Sequence, residues 1–198
     1  VSGLLDERFF LVGQDSDYGD SSQSVDFDRK GRLISTAYDG HLRLYQVSDS
    51  GLRLLVKQTA PAGKLPYMVR FSPDGTKAAF GYIDSTQVSV VSADSLALLY
   101  TPDGTGVEKG NLGSVAWSLD GRTLYAGGIW WSNGYYPIRR WQDGGRGGYT
   151  DLQASSDTVM DIYALAAGGI VFGAAEPLWG VYDASGVRVR AVQRSIAD

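Results

Sequence analysis

The sequence lacks cysteine and contains a single histidine, His41, among its 198 residues. Without cysteine the chain forms neither disulfides nor thiolate metal sites, which fits a reducing compartment, and we expect a cytoplasmic protein. Catalysis by a nucleophile, an imidazole and a carboxylate needs all three groups together. His41 follows Asp39 and Gly40 in a predicted turn, where an exposed polar residue is ordinary. We therefore expect no catalytic residue, no cofactor and no enzyme activity.

Basic charge and long apolar runs are also scarce. The chain has 18 Lys and Arg against 22 Asp and Glu, a net charge of −4. Nucleic-acid binders need clustered basic residues, whereas the densest group here, Arg188, Arg190 and Arg194, alternates as the solvent face of a strand would. No apolar run reaches the length of a membrane span, and Val1 does not begin a signal peptide. We expect no nucleic-acid or membrane partner, and the missing initiator Met indicates a processed product or a piece of a larger protein.

Glycine and aromatic residues are abundant, with 26 Gly, 12 Tyr, 6 Phe and 5 Trp. Such composition favours many turns over long helices. No stretch keeps a helical period over ten or more residues. Short runs of β-branched and aromatic residues between Gly, Asp, Ser and Pro predict strands, so the sequence predicts an all-β protein.

One short motif recurs along the chain. Val69–Gly75 reads Val-Arg-Phe-Ser-Pro-Asp-Gly, and Val25–Gly31 and Val115–Gly121 repeat its pattern of an alternating strand and a tight glycine turn. The spacings are 44 residues from Val25 to Val69, 46 to Val115 and 45 to Met160. A period of roughly 40–45 residues with four strands per repeat is typical of a propeller blade. The motif predicts the innermost strand of each blade, with its Pro-Asp-Gly turn facing away from the binding surface.

The sequence predicts four such units, at about residues 23–67, 68–113, 114–158 and 159–198. The predicted strands of the first two units are Ser24–Asp28, Arg32–Ala37, His41–Val47, Leu52–Gln58, Met68–Ser72, Lys77–Tyr82, Gln87–Ser92 and Ala97–Thr101. Those of the last two are Ser114–Ser118, Arg122–Gly127, Pro137–Gln142, Tyr149–Gln153, Val159–Tyr163, Gly169–Ala174, Leu178–Asp183 and Val187–Ala191. Residues 1–22 precede them, with Arg8–Gly13 predicted as the outer strand of a preceding blade.

The ends of the third strands carry a family resemblance. Tyr45-Gln46, Trp141-Gln142 and Tyr182-Asp183 stand where a Trp-Asp pair ends that strand in the WD-repeat β-propeller family, and Val91-Ser92 keeps neither residue. Over about residues 23–191 the chain resembles that family, with degenerate repeats similar to those of bacterial multidomain proteins. The usual Gly-His pair is absent, so the family's hydrogen-bonded tetrad is not carried over. The resemblance implies a non-catalytic protein-interaction or sensory module of a larger bacterial protein.

Four units and one leading strand do not close a ring. WD-repeat propellers usually have about seven blades, and an open end exposes strand edges and apolar faces. We expect a partial propeller, either a fragment or an open half-ring completed by another chain. Its partner would be another protein or a neighbouring domain of the same polypeptide.

A ten-residue insertion at 128–137 is the main candidate binding site. In WD-repeat propellers such loops share one partner-binding face with the connections between blades, and large aromatics are enriched at binding hot spots. In the alternative interpretation, Trp130 and Trp131 fold back as local core. The predicted binding residues are Trp130, Trp131, Tyr135, Tyr136, Tyr67, Asp39 and Asp84, with Glu176 on the same face.

Two other hypotheses are open, and one further glycine-rich stretch has a structural explanation. A propeller enzyme or carbohydrate-binding lectin would use loop 128–137 as a stacking platform, with paired carboxylates if it were a glycosidase. Asp15, Asp17 and Asp20 alternate in a glycine-containing loop as ligands of Ca²⁺ do, although a solvated polar loop is the simpler interpretation. Gly144–Gly148 resembles a phosphate loop in composition only, because it joins two strands rather than opening a helix.

Overall fold

The computed structural model describes residue 11 and residues 13–193. It contains sixteen strands in four four-stranded antiparallel sheets, with a single 3-10 turn at Asp143–Gly145, so the all-β prediction is confirmed. In the part of the chain that the structure describes, no helix is long and apolar enough to span a bilayer. The predicted leading strand Arg8–Gly13 lies largely outside the described residues.

Each sheet is made of four strands that follow one another in the chain. The first sheet contains β1 (Ser22–Phe27), β2 (Arg32–Ala37), β3 (His41–Ser48) and β4 (Gly51–Thr59). The second contains β5 (Pro66–Phe71), β6 (Lys77–Tyr82), β7 (Ser89–Ser92) and β8 (Leu98–Tyr100). The third contains β9 (Ser114–Trp117), β10 (Leu124–Gly127), β11 (Tyr136–Trp141) and β12 (Tyr149–Ser155). The fourth contains β13 (Val159–Ala164), β14 (Ile170–Ala174), β15 (Leu178–Tyr182) and β16 (Arg188–Gln193).

The turn after the first strand has the same geometry in the first three sheets. Gly31, Gly75 and Gly121 have φ angles of +73°, +67° and +70°, in the left-handed region that glycine adopts without a Cβ clash. The predicted role of these glycines is therefore confirmed.

The fourth sheet shifts the repeat by two residues. The backbone N–H that closes the turn belongs to Ser72 in the second sheet and to Leu165 in the fourth. Val69 lies three residues before Ser72, and Ile162 lies three residues before Leu165. Ile162 is therefore the equivalent of Val69, and the prediction that Met160 is its equivalent is wrong. The turn residues Ser118 and Leu165 are 47 positions apart, two more than the 45 predicted between Val115 and Met160.

The core forms three clusters, one between each pair of successive sheets. Leu42 and Leu44 of the first sheet pack with Phe80 of the second, because alternate residues of a strand face opposite sides. The other two clusters pack β7 against β9 and β10, and β11 against β13 and β14. The sheets are therefore stacked in chain order. Within the described residues, the structure does not show the fourth sheet closing onto the first.

The first strands bring the sheets together. β1 contacts β5, β5 contacts β9, and β9 contacts β13. Phe27, Phe71, Trp117 and Tyr163, one from each first strand, line a common cavity of about 360 Å³ beside the glycine turns. We call the end of the molecule that carries these turns the turn end.

Candidate functional site

The opposite end, called the loop end here, carries the loops between second and third strands and the connections that lead into each sheet. Carboxylates from these loops accept hydrogen bonds from the connections. Asp39 accepts from the N–H of Gly19 (3.1 Å), and Asp84 accepts from the N–H of Lys64 (2.8 Å). Glu176 repeats this contact in the fourth sheet, 2.9 Å from the N–H of Ser156. We call these contacts the loop clasps.

The clasps explain three of the acidic residues predicted to bind a partner. Asp39, Asp84 and Glu176 all lie at the loop end, as their positions in the sequence imply. Their carboxylate oxygens accept hydrogen bonds from backbone N–H groups of the chain itself. Hydrogen bonds from the Ser156 and Ser155 hydroxyls lower the pKa of Glu176. The clasps therefore fasten the loops to the connections that precede the sheets.

Asp39 is the most strongly held of the three. Burial alone would raise the pKa of this carboxyl, but hydrogen bonds from Arg43 and from the N–H groups of Gly19 and His41 hold it far below its usual range. His41 Nδ1 lies 2.9 Å from the backbone oxygen of Asp39. The single histidine is thus part of the same turn.

Buried arginines were missed by the sequence analysis. The Arg43 side chain is fully buried, its guanidinium carbon lies 4.0 Å from the centroid of the Tyr18 ring, and it donates to the Asp17 carbonyl oxygen at 2.6 Å. Arg43 therefore fastens the connection before β1 to the third strand. A recurring Arg two residues before the Tyr or Trp of the third strand is the signal that would have found it.

Arg139 occupies the same position in the third sheet. Its guanidinium carbon lies 3.8 Å from the Tyr149 ring centroid and 4.8 Å from that of Trp130. It donates to Asp151 at 2.7 Å and to the Thr105 carbonyl oxygen at 2.7 Å. One side chain therefore links β12, the long connection before β9 and the aromatic insertion.

The structure separates the four aromatics of that insertion. Trp130 is 2% exposed and belongs to the core between the second and third sheets, whereas Trp131 is 58% exposed. Tyr135 and Tyr136 are half-buried, and Tyr136 begins β11. Among these four aromatics, Trp131 alone exposes most of its side chain to solvent.

An apolar mouth opens at the loop end, where the connections before β5 and β9 meet β13. Tyr38, Tyr67, Ile129 and Met160 line this cavity of about 190 Å³, and we call these four residues the loop-end mouth. Ile129 and Met160 are each 47% exposed. Burial, followed by the nearby Tyr67 and Asp20, raises the pKa of Tyr38, so its hydroxyl stays protonated at neutral pH. Tyr67 is the one predicted binding residue that this mouth contains.

A second concavity lies between the third and fourth sheets. It encloses about 570 Å³ and is lined by Tyr135, Gln153, Ser156, Glu176 and Arg188, among others. Among the described residues that line it, Glu176 is the single carboxylate. The pair of carboxylates that a glycosidase uses is therefore not found among the described residues that line this concavity.

Each of the three proposed calcium ligands has a different partner within the chain. Asp15 accepts from Tyr45 (2.7 Å), Asp17 pairs with Lys57 (2.7 Å), and Asp20 accepts from the N–H of Ser21 (2.6 Å). In the described part of the chain, no three His, Cys, Asp or Glu residues are grouped to hold a metal ion. Residues 144–148 form the hairpin between β11 and β12, and so do not open a helix.

Comparison with known proteins finds no family model and no curated protein that matches this chain. The WD-repeat resemblance therefore rests on the residues of the chain itself.

Proposed function

We propose that the four sheets are successive blades of a partial β-propeller of the WD-repeat type, with the first strand of each blade innermost. Three observations support this architecture: four consecutive four-stranded sheets, contact between successive first strands, and a common cavity lined by all four. Equivalent turn residues recur after 44, 46 and 47 positions, at Asp28, Ser72, Ser118 and Leu165, as the turn hydrogen bonds align them.

The function that this geometry supports best is a non-catalytic protein-interaction or sensory module of a larger, cytoplasmic bacterial protein. The observation that carries the proposal is the loop-end mouth, where Ile129 and Met160 are each 47% exposed. Apolar side chains beside tyrosine hydroxyls form the kind of amphipathic patch that binds another protein. The N–H of Ile129 donates to the side-chain oxygen of Asn111 at 3.2 Å, and Met160 lies in β13, so both residues are held in place, which reduces the entropy lost on binding.

Trp131 extends the proposed surface. It belongs to the same loop as Ile129, and its indole is 58% exposed. Tryptophan is among the side chains most enriched at interface hot spots. A partner seated on the mouth would bury Ile129, Met160 and Trp131 together.

Site-specific photocrosslinking in bacterial cells tests this proposal. A photoreactive amino acid replaces Ile129 or Met160 at the mouth, or Leu119 as a control, which is 60% exposed in a turn-end loop. We expect one discrete protein adduct from both mouth positions, and its loss when Trp131→Asp is added. The same adduct from position 119, or none from either mouth position, contradicts the proposal.

The concavity beside Tyr135 favours a second candidate, carbohydrate binding. An aromatic ring beside Gln153, Arg188 and Ser156 offers both a stacking surface and hydrogen-bonding groups. A glycan array followed by calorimetry tests it, with Tyr135→Ala as the variant. An array without a hit, or binding that Tyr135→Ala leaves unchanged, contradicts this alternative.

A further inference from the structure

Equivalent positions of the first strands differ sharply in burial. In β5, Val69 is 0% exposed and Phe71 is 8% exposed, because both pack against the first sheet. Their equivalents in β1, Val25 and Phe27, are 54% and 53% exposed. The same apolar side chains are thus present, but no described sheet covers those of β1.

The fourth sheet also has one buried side and one side that no described sheet covers. Phe172 and Tyr182 face the third sheet and are buried. Residues that alternate with them face outward, and among these Tyr163 and Trp179 are 54% and 40% exposed. The stack therefore ends in two apolar surfaces that no described sheet covers. The leading face consists of Val25 and Phe27 of β1, because residues 15–18 already cover Arg43 and Tyr45 on the same side of the first sheet. The trailing face consists of Tyr163 and Trp179 of the fourth sheet.

The contacts between successive sheets, which we call joints, show what each face packs against inside the stack. At the first joint, Asp26 accepts the N–H of Phe71 at 2.7 Å, and Ser24 accepts the N–H of Val69 at 3.4 Å. At the second, Met68 Sδ lies 3.5 Å from the N–H of Val115. A side chain of one first strand therefore satisfies the open backbone edge of the next.

The third joint uses the same position differently. There Ser114, the equivalent of Ser24 and Met68, donates its hydroxyl to the carbonyl oxygen of Met160 at 2.7 Å. A polar or polarisable side chain thus meets the neighbouring backbone at all three joints.

The trailing face carries the matching group. Asp161 lies four residues before the turn residue Leu165, as Ser24 lies four before Asp28. Its carboxylate already accepts from the N–H of Ile162 (2.9 Å), and Arg70 reaches it at 3.5 Å. A carboxylate has about four lone-pair sites, so it retains capacity for a backbone N–H of an incoming strand. The position that bonds the next sheet is filled by an acceptor, with Tyr163 and Trp179 as apolar surface beside it.

We propose that a second copy of this chain covers both faces, with the fourth sheet of each copy packed on the first sheet of the other. The two joints are then equivalent under a two-fold axis, and the dimer closes instead of growing into a filament. Eight sheets lie within the range of 4–8 blades found in propellers. The proposal rests on the propeller architecture but not on the loop-end partner.

The absence of native cysteine makes disulfide trapping a clean test. Phe27→Cys and Tyr163→Cys are introduced together, because internal joints pair the equivalent positions Asp26 and Phe71. Both side chains are half-exposed, so the double variant is expected to fold. Under mild oxidation we expect a covalent dimer with two disulfides per pair of copies. The control double variant, Leu99→Cys with Leu119→Cys, places equally exposed cysteines elsewhere and is expected to stay monomeric on a non-reducing gel.

Sedimentation of cysteine-free chains provides the second measurement. We expect the unmodified chain to sediment as a dimer, Phe27→Glu or Trp179→Asp to sediment as a monomer, and Leu119→Glu to leave the dimer intact. Circular dichroism melts confirm that each variant is folded, and Val25→Glu replaces any that is not. A monomeric unmodified chain, a disulfide within one copy or a ladder of larger species overturns the proposal. If the unmodified chain is monomeric but still gives the loop-end photoadduct, the dimer proposal fails while the loop-end proposal stands.

Discussion

The Arg43 guanidinium stacks on the ring of Tyr18, 4.0 Å from its centroid, while pairing with Asp39 from a position fully closed to solvent. This contact joins a connection that precedes the first sheet to the middle of that sheet. Leaving a buried charge without its partner is costly. Substitution of Arg43 therefore measures how much its contacts with Asp39 and Tyr18 contribute to the free energy of unfolding.

Replacing Arg43 with Met leaves the carboxylate of Asp39 without its cation and the carbonyl of Asp17 without its donor. We expect the free energy of unfolding to fall by about 3 kcal/mol or more in urea titrations. Arg53→Met removes an exposed arginine from β4 and is expected to change it by less than about 0.5 kcal/mol. Equal effects of the two substitutions would mean that the buried pair has no special role.

The adjacent tryptophans of the insertion are expected to behave oppositely. Trp130→Ala opens a cavity beside Arg139 and costs about 3–5 kcal/mol in stability. Trp131→Ala, at an exposed position, changes stability by about 0.5 kcal/mol or less but weakens the loop-end photocrosslink. Thermal melts of both variants decide the assignment. Loss of stability from Trp131→Ala and not from Trp130→Ala would reverse it.

Acid unfolding is expected to depend on Asp74 in the repeated turn. Hydrogen bonds from the Ser72 hydroxyl and from Thr76 lower the pKa of Asp74 to about 2. Because the folded pKa is depressed, its contribution is complete above about pH 4 and is lost as pH falls from 4 to 2. Asp74→Asn removes this part of the acid sensitivity, an effect of not more than about 1 kcal/mol at an exposed group.

Denaturant titrations between pH 2 and 7 measure this dependence. Asp49→Asn, at an exposed residue between β3 and β4, is the control and is expected to leave the acid slope as it is. An Asp74→Asn variant with the same slope as the unmodified chain would contradict the role of the turn.

Backbone strain gives the fourth prediction. Gly75 has a φ angle of +67°, and its carbonyl accepts a hydrogen bond from buried Arg32 at 2.6 Å. Gly75→Ala is expected to cost about 1–2 kcal/mol, because an L residue is disfavoured at positive φ. Gly148→Ala is the matched control, since open space surrounds its Cβ position and the expected change is within about 0.5 kcal/mol. Equal melting temperatures for the two variants would refute the strain argument.

The strands were predictable because their signals are local. Alternating apolar residues and glycine turns predicted all sixteen to within two residues at each end. By contrast, Trp130 and Trp131 share one loop, and which of them is buried depends on Arg139 from the next strand. The shift from Met160 to Ile162 was equally hidden, because the turn Leu165–Gly168 lacks the Asp before glycine that marks the register in the second and third sheets.

The loop clasps have a consequence for the duplication or deletion of repeats in the gene. Asp39 holds Gly19, Asp84 holds Lys64, and Glu176 holds Ser156, so each carboxylate binds the connection that leads into its own sheet. A gene segment that begins at the lead-in connection and ends with the fourth strand carries both halves of its own clasp. Duplication or deletion of that segment leaves no orphaned carboxylate in the remaining repeats. The three clasps therefore set no limit on the order or number of the repeats that carry them.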